Sequence, residues 1–334
     1  MNYAIFEHTQ SNMGLVNIGD HIQSCAAEQY LPRVDMYVER DNLNANIPSK
    51  AKIIMNGWFT DAPENWPPNP NLKPLFVSFH LQPFSAKIIL SKQENIDYFK
   101  SHEPIGCRDY NTVSLLEDKG IKAYFSFCLT TTLDKKYKSD INSGEILLVD
   151  PLYSYDSSLL YKMSLKKALS EISFKKLRKL KDYLKPKSNI IDFVPIDILK
   201  KAVSINHYVS SKQNNRDLYK QAKSLLKRYA EAQLVITSRI HCALPCLALG
   251  TPVLFVLDGL KDESLHMSRF RGVLDHVNIL TNNSKVDIER LFEKPMNVYS
   301  PNQIDWENPP KNPDSFKELS SKLKETCCKF IDEH

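Results

Sequence analysis

Arg239 and His241 lie two positions apart in the passage LVITSRIHCALPCLALGTPVLF, residues 234–255. Arginine offers a forked, permanently charged donor matched to carboxylate or phosphate, and histidine titrates near neutrality. Ser238 stands just before them and adds a hydroxyl. Residues 234–236 are an apolar run of strand length, a small apolar segment follows and stops at Gly250, and a second apolar run begins at Val253. Strand, turn, helix, strand is the reading. The three polar residues then fall at a strand-to-helix turn, the carboxyl edge of a sheet. Open α/β sheets bind ligands there, and a helix's free N–H groups and dipole favour an anion. Pro245 stands inside the expected helix. Either the helix kinks there, or it starts later and leaves Arg239 and His241 on a loop.

Other short stretches carry chemistry at turns. In Asn17-Ile18-Gly19-Asp20 the glycine allows close backbone approach to a ligand. Asp20 reads either as the cap of the following helix or as a cleft residue that binds a sugar hydroxyl or moves a proton. Asn56-Gly57-Trp58-Phe59 follows a strand pattern, and Trp58 reads as packing or as a platform for a sugar ring. His80 ends the strand pattern of residues 75–79 and belongs to the same edge. In Gly106-Cys107-Arg108-Asp109, Arg108 suits a carboxylate or phosphate. Asp109 either caps the next helix or holds Arg108 in a salt bridge. Asn206 and His207 follow a short strand pattern at 202–205, and Arg269 and Arg271 straddle Phe270, with Arg271 weighed as the one that reaches a cleft. These groups suit binding of a small polyanion and proton transfer. The chain has no HExxH, no clustered Cys/His spacing, no GxSxG elbow, no Walker A and no GxGxxG, so neither a metal nor a bound cofactor is expected.

The elements that must carry these residues alternate in type. Residues 34–38, 52–55, 75–79 and 121–125 read as strands. A helix is expected after Asp20 and another over 112–119, with Gly120 as its stop. The alternation implies largely parallel sheets covered on both faces. The 334 residues suit two domains, with 42% hydrophobic residues for their cores. Residues 134–144 are polar and end in Ser-Gly, which places a boundary there. The expected division is a first domain over 1–140, a second over 141–310, and a C-terminal helix over 311–334 that packs back across them. Residues 61–74 carry five prolines and read as a loop, with Trp58 and Trp66 beside it as a possible cleft wall. No internal repeat is evident.

Net charge is only +5, which fits an anionic small molecule or a membrane surface. The basic segment 162–185 has helical spacing. It reads as a solvated helix face or as a patch for anionic lipid headgroups, and its few aromatics argue against nucleic acid. No apolar run is long enough to span a bilayer and no signal peptide pattern opens the chain, so a cytoplasmic protein with reduced cysteines is expected.

The motifs Asn17-Ile18-Gly19-Asp20, PIGCRD (104–109), FCLTTTL (127–133) and above all VITSRIHCALPCLALGTP (235–252) resemble those of the polysaccharide pyruvyl transferase family. The resemblance implies two Rossmann-like domains facing across a cleft, as in GT-B glycosyltransferases. It implies transfer of pyruvate from phosphoenolpyruvate, the sole co-substrate, to a sugar of a bacterial surface polysaccharide or its polyprenyl-diphosphate-linked precursor. The product would be a cyclic ketal, with phosphate released. Arg239, Arg108 and Ser238 then hold the donor, His241 and Asp20 are the acid/base candidates, and Asn17, Gly19, Trp58 and His80 face the acceptor. A lipid-linked acceptor would bring the protein to the inner face of the membrane. Two other readings stay open: a GT-B glycosyltransferase using a nucleotide sugar, and a non-catalytic saccharide-binding module.

Overall fold

The computed structural model describes residues 1–8, 14–152, 189–258 and 267–333. Its strands are β1 (Asn2–Glu7), β2 (Leu15–Asn17), β3 (Met36–Glu39), β4 (Ala51–Phe59), β5 (Leu72–Leu81), β6 (Ile105–Cys107), β7 (Ala123–Phe125), β8 (Ile146–Val149), β9 (Val203–Ile205), β10 (Tyr208–Ser210), β11 (Leu234–Thr237), β12 (Val253–Val256), β13 (Asn278–Leu280) and β14 (Val298–Tyr299). The helices are α1 (Ile18–Glu28), α2 (Pro83–Ile89), α3 (Gln93–Lys100), α4 (Tyr110–Glu117), α5 (Asp134–Tyr137), α6 (Ile196–Lys201), α7 (Asn215–Glu231), α8 (Ile240–Leu249), α9 (Lys285–Phe292) and α10 (Lys317–Asp332).

Two six-stranded sheets form, and every pairing within them is parallel. The first runs β3-β1-β4-β5-β6-β7 and the second, from its other end, β9-β8-β11-β12-β13-β14. Counted within each sheet, both follow the order second, first, third, fourth, fifth, sixth. The halves are thus two Rossmann-like units of one topology, although the chain shows no sequence repeat. The order reverses between β1 and β4 in one sheet and between β8 and β11 in the other, the places where such sheets bind ligands.

The β4 and β5 strands are buried on both faces along most of their length, as a doubly covered parallel sheet requires. One apolar core fills the outer face of the first sheet, around Phe59, Phe76, Phe79 and Phe99. A second, larger core joins the halves through α1, α7, α8 and α10. The seam also carries polar ties. β2 pairs antiparallel with β10, and the Ile18 N–H donates to the His207 carbonyl at 2.8 Å. At the far end, buried Lys52 of β4 donates to the carbonyls of Phe330, Ile331 and Glu333, closing the C-terminus of α10.

Two sequence expectations change here. The loop expected over 61–74 ends at Asn71, because Leu72–Pro74 belongs to β5, a central strand. Pro74 is tolerated because β6 meets β5 only at Phe79, so that stretch has a partner on one side alone. Trp66 does not line a cleft wall. It is 3% exposed, stacked on Phe99 at 5.1 Å and packed against Phe59 and Phe79. The basic segment 162–185 lies outside the described residues.

Candidate active site

α8 begins at Ile240, with Arg239 as its N-cap in extended conformation and His241 in its first turn. Pro245 lies within the helix, so the first turn precedes it and the loop alternative falls away. Proline removes only the N–H that would have served the His241 carbonyl. Gly250 ends the helix at φ +82, a left-handed cap. Among the described residues no side chain caps the N-terminus of α8, which leaves its leading N–H groups open to an anion.

Arg239 donates from Nε to Asp150 Oδ2 at 3.1 Å, and its guanidinium stands 4.9 Å from the centre of the Tyr208 ring. Asp150 follows β8 and also accepts from the His207 N–H at 3.1 Å. Its partner strand end is Ser238, whose hydroxyl donates to the carbonyls of Pro151 and Val256 at 3.0 and 2.6 Å. That hydroxyl ties neighbouring strand ends together. His207 is buried, with Nε2 2.7 Å from the Tyr229 hydroxyl, and burial pushes its imidazole down to about 3. Asn206 is exposed, and its side chain accepts from the Tyr208 N–H.

The first half contributes Arg108 from the end of β6. It is 1% exposed, and its Nη1 donates to His241 Nε2 at 3.1 Å and to Gln23 Oε1 at 3.3 Å. Its Nε has no hydrogen-bond partner, and no carboxylate lies within ion-pair distance among the described residues. An arginine buried in this way normally faces an anion. With Nε2 accepting from Arg108, the neutral ring of His241 carries its proton on Nδ1. Burial first, then Arg108, hold the His241 imidazole well below its ordinary range. His241 in this state is a neutral donor, not an imidazolium.

Gln23 links Arg108 to Asp20, since its Nε2 donates to Asp20 Oδ1 at 3.0 Å. Asp20 is not the cap of α1. Asn17 is, accepting from the Gly19 N–H at 3.0 Å, while Asp20 sits in the first helical turn facing Arg40 at 3.5 Å. Burial raises the Asp20 carboxyl above the ordinary range, and Arg40 only partly offsets that. Arg40 also binds Asp41 at 2.6 Å and lies 4.9 Å from the centre of the Trp58 ring, so one face of that indole is already used. Gly19 lies where the halves meet: a Cβ there would stand 3.2 Å from His241 Cβ and 3.3 Å from His207 Nδ1.

His80 and Asp109 join each other. His80 Nδ1 donates to Asp109 Oδ2 at 2.6 Å, and Asp109 Oδ1 caps α4 by accepting from the Thr112 N–H at 2.9 Å. Asp109 therefore caps and holds His80, in place of a salt bridge to Arg108. Of the straddling arginines, Arg271 is exposed, and its carbonyl accepts from the Tyr110 N–H. Arg269 is the one near the site: burial and then the charge of Arg108 bring its pKa down to about 10, with Asp20 and Asp109 acting against them.

The site thus brings together Arg108, His241, Arg239, Asp20, Gly19 and His207, and leaves Asn206 and the Arg271 side chain outside. Sequence reasoning does not find Gln23, Arg40 or Asp150, and of the arginine pair around Phe270 it favours Arg271 where the structure places Arg269. Arg40 and Asp150 directly follow the strands β3 and β8, so the rule that finds Arg108 applies to them too. Nothing local marks Gln23. Among the described residues no three His, Cys, Asp or Glu side chains are arranged to hold a metal, and no helix is long and apolar enough to cross a membrane.

A family model of polysaccharide pyruvyl transferases matches residues 17–258, most of the chain. The protein belongs to this family and is a transferase of its kind. No curated protein matches the chain.

Proposed function

We propose that this member of the polysaccharide pyruvyl transferase family takes its pyruvyl group from phosphoenolpyruvate. It sets that group as a cyclic ketal across two hydroxyls of a saccharide and releases phosphate. The observation that carries the reading is the meeting of buried Arg108 with His241 at the uncapped start of α8, with no carboxylate against the guanidinium among the described residues. Phosphoenolpyruvate carries roughly three negative charges and needs such a concentration of donors. In this reading Arg108, Arg239 and the α8 N–H groups hold carboxylate and phosphate, and His241 Nδ1–H adds a neutral hydrogen bond. The acceptor approaches from the Asn17, Gly19 and Trp58 side, where Asp20 and Arg40 meet polar hydroxyls. A saccharide of a surface polymer, or its lipid-linked precursor, is the acceptor class.

The test is thermal unfolding with phosphoenolpyruvate, UDP, GDP and CMP in turn, because a ligand of the folded state raises Tm. Stabilisation by phosphoenolpyruvate, with phosphate released on addition of a saccharide, is the expected result. Stabilisation by UDP alone would instead mark a nucleotide-sugar glycosyltransferase, and donor binding without phosphate release a binding module. Peripheral membrane contact through the basic segment predicts that neutralising Lys175, Lys176 and Lys179 weakens sedimentation with anionic liposomes. Unchanged sedimentation would end that idea.

A further inference from the structure

The course of β5 is broken at one point, and the break decides where His80 faces. Between the pairs Met55–Phe76 and Gly57–Phe79, β4 has one residue, Asn56, and β5 has two, Val77 and Ser78. Ser78 is the non-glycine residue of this bulge that adopts a left-handed backbone, φ +55. In an unbroken strand residues 76, 78 and 80 would share a face. The extra residue reverses the phase. Phe79 and Leu81 therefore join Phe76 in the outer aromatic core, and Val77 joins the core between the halves. By alternation His80 turns to the latter side, toward α1 and α8. Arg108 stands beside it, since the Arg108 N–H donates to the Phe79 carbonyl at 2.9 Å.

The partner of His80 is rigidly held. Asp109 is fully buried, and its Oδ1 accepts from both the N–H and the hydroxyl of Thr112, at 2.9 and 3.0 Å. Its other oxygen takes the His80 Nδ1–H at 2.6 Å. This fixes the tautomer and leaves Nε2 as the acceptor of a proton. His241 lacks that freedom, because Arg108 occupies its Nε2.

We propose that His80 is the general base toward the acceptor hydroxyl and that Asp109 is its positioning residue; this rests on the phosphoenolpyruvate reading above. The hydroxyl oxygen forms a bond to the central carbon of the donor while its proton passes to His80 Nε2. The imidazolium returns that proton to the methylene carbon, where the alkene electron pair becomes the new C–H bond of the methyl group. The second hydroxyl then displaces phosphate. Its proton leaves with the phosphate through the same nitrogen. The charged and titratable groups around His80 are Asp109 and Arg108 after β6, Arg269 on the turn near Phe270, and His241 of α8. Burial, then Arg108 and Arg269 acting against Asp109, keep His80 below its ordinary range and so neutral at pH 7.

The experiment compares the parent with His80→Gln, Asp109→Asn and His241→Gln. Each is given phosphoenolpyruvate and a panel of para-nitrophenyl hexosides and N-acetylhexosaminides, and phosphate release is followed from pH 5 to 8. His80→Gln should retain the Tm rise with phosphoenolpyruvate yet lose about 10²–10⁴-fold in kcat, and with it the acid limb of the pH profile. Asp109→Asn should lower kcat with KM for phosphoenolpyruvate unmoved. His241→Gln should raise that KM and keep the acid limb. Added imidazole should restore part of the rate to His80→Gly, which a purely structural role would not allow. In nitrogen-15 spectra the His80 ring should be the neutral Nδ1–H tautomer at pH 7. Turnover of His80→Gln within threefold of the parent, an unchanged acid limb, or an Nε2–H tautomer would overturn the assignment. A parent that neither gains Tm from phosphoenolpyruvate nor releases phosphate fails at the earlier step, and the assignment falls with it.

Discussion

At the carboxyl edge of the first sheet the carboxylates are enclosed by partners: Asp20 and Asp41 face Arg40, and Asp109 faces His80 and Thr112. At the same edge of the second sheet Asp150 faces Arg239, and α8 opens with N–H groups that no side chain among the described residues caps. The strand order is the same in both. Topology therefore sets where the residues gather, and the few residues after each strand set the sign and the chemistry. The first edge is suited to orienting hydroxyls and moving protons, the second to holding an anion. Arg108 is the exception that joins them, rooted in the first edge and engaged with His241 of the second.

The largest expected effect tests that division directly. Arg239→Ala should weaken phosphoenolpyruvate binding by at least about 100-fold, on the order of 3 kcal/mol for lost charge-assisted hydrogen bonds. Asp20→Asn should change binding less than about threefold and cut turnover instead. Titration calorimetry separates the two, and equal losses of affinity would erase the contrast between edges.

Next come the histidines along the seam. His21 is buried on α1, its Nε2 3.3 Å from Asn215 Oδ1 of α7, and burial holds it down to about 4 and His207 to about 3. A histidine depressed in the fold takes up its proton more readily when unfolded, so its contribution is full above about pH 6.5 and is lost as pH falls. For His21 the loss runs from about pH 6.5 to about 4 and amounts to roughly 3 kcal/mol. Urea unfolding at pH 7, 6 and 5 should show falling stability, with a shallower fall in His21→Gln. A stability flat from pH 7 to 5 would contradict the buried, neutral seam.

Gly272 stands at φ +85, and a Cβ there would lie 2.7 Å from the Phe125 ring and 2.8 Å from that of Tyr110, across the seam. Gly272→Ala should cost about 2 kcal/mol from strain and contact together. A smaller change is expected from Lys52→Met. Losing its bonds to the last carbonyls of α10 should remove about 1 kcal/mol, with faster amide exchange confined to that helix. Exchange that quickens equally in both sheets would show that Lys52 does more than tie the C-terminus.

Much of this site was legible because its parts are strand ends. An apolar run bounded by turn residues marks the end of β11, and with it Ser238 and Arg239, and the short stretch Gly106-Cys107-Arg108-Asp109 marks Arg108 at the end of β6. The same rule applies to Arg40 and Asp150, which directly follow β3 and β8. Helix starts were less legible. Asp20 and Asn17 are both good caps, and only the backbone decides that Asn17 sits in the extended position before the first turn.

The sequence by itself determined the alternation of elements, the two-part organisation and the place of Arg239 and His241 at one turn, because hydrophobic periodicity and caps act within a dozen residues. Tertiary structure decided the rest. Arg108 meets His241 across 133 positions of chain. Pro74 is accommodated by the limited reach of β6, and the halves share a strand order that no residue pattern repeats. The extra residue at Ser78 turns His80 from the aromatic core toward the seam. Such a bulge depends on the register between β4 and β5. Register is settled when whole faces are buried against their neighbours, which no short stretch of sequence encodes alone.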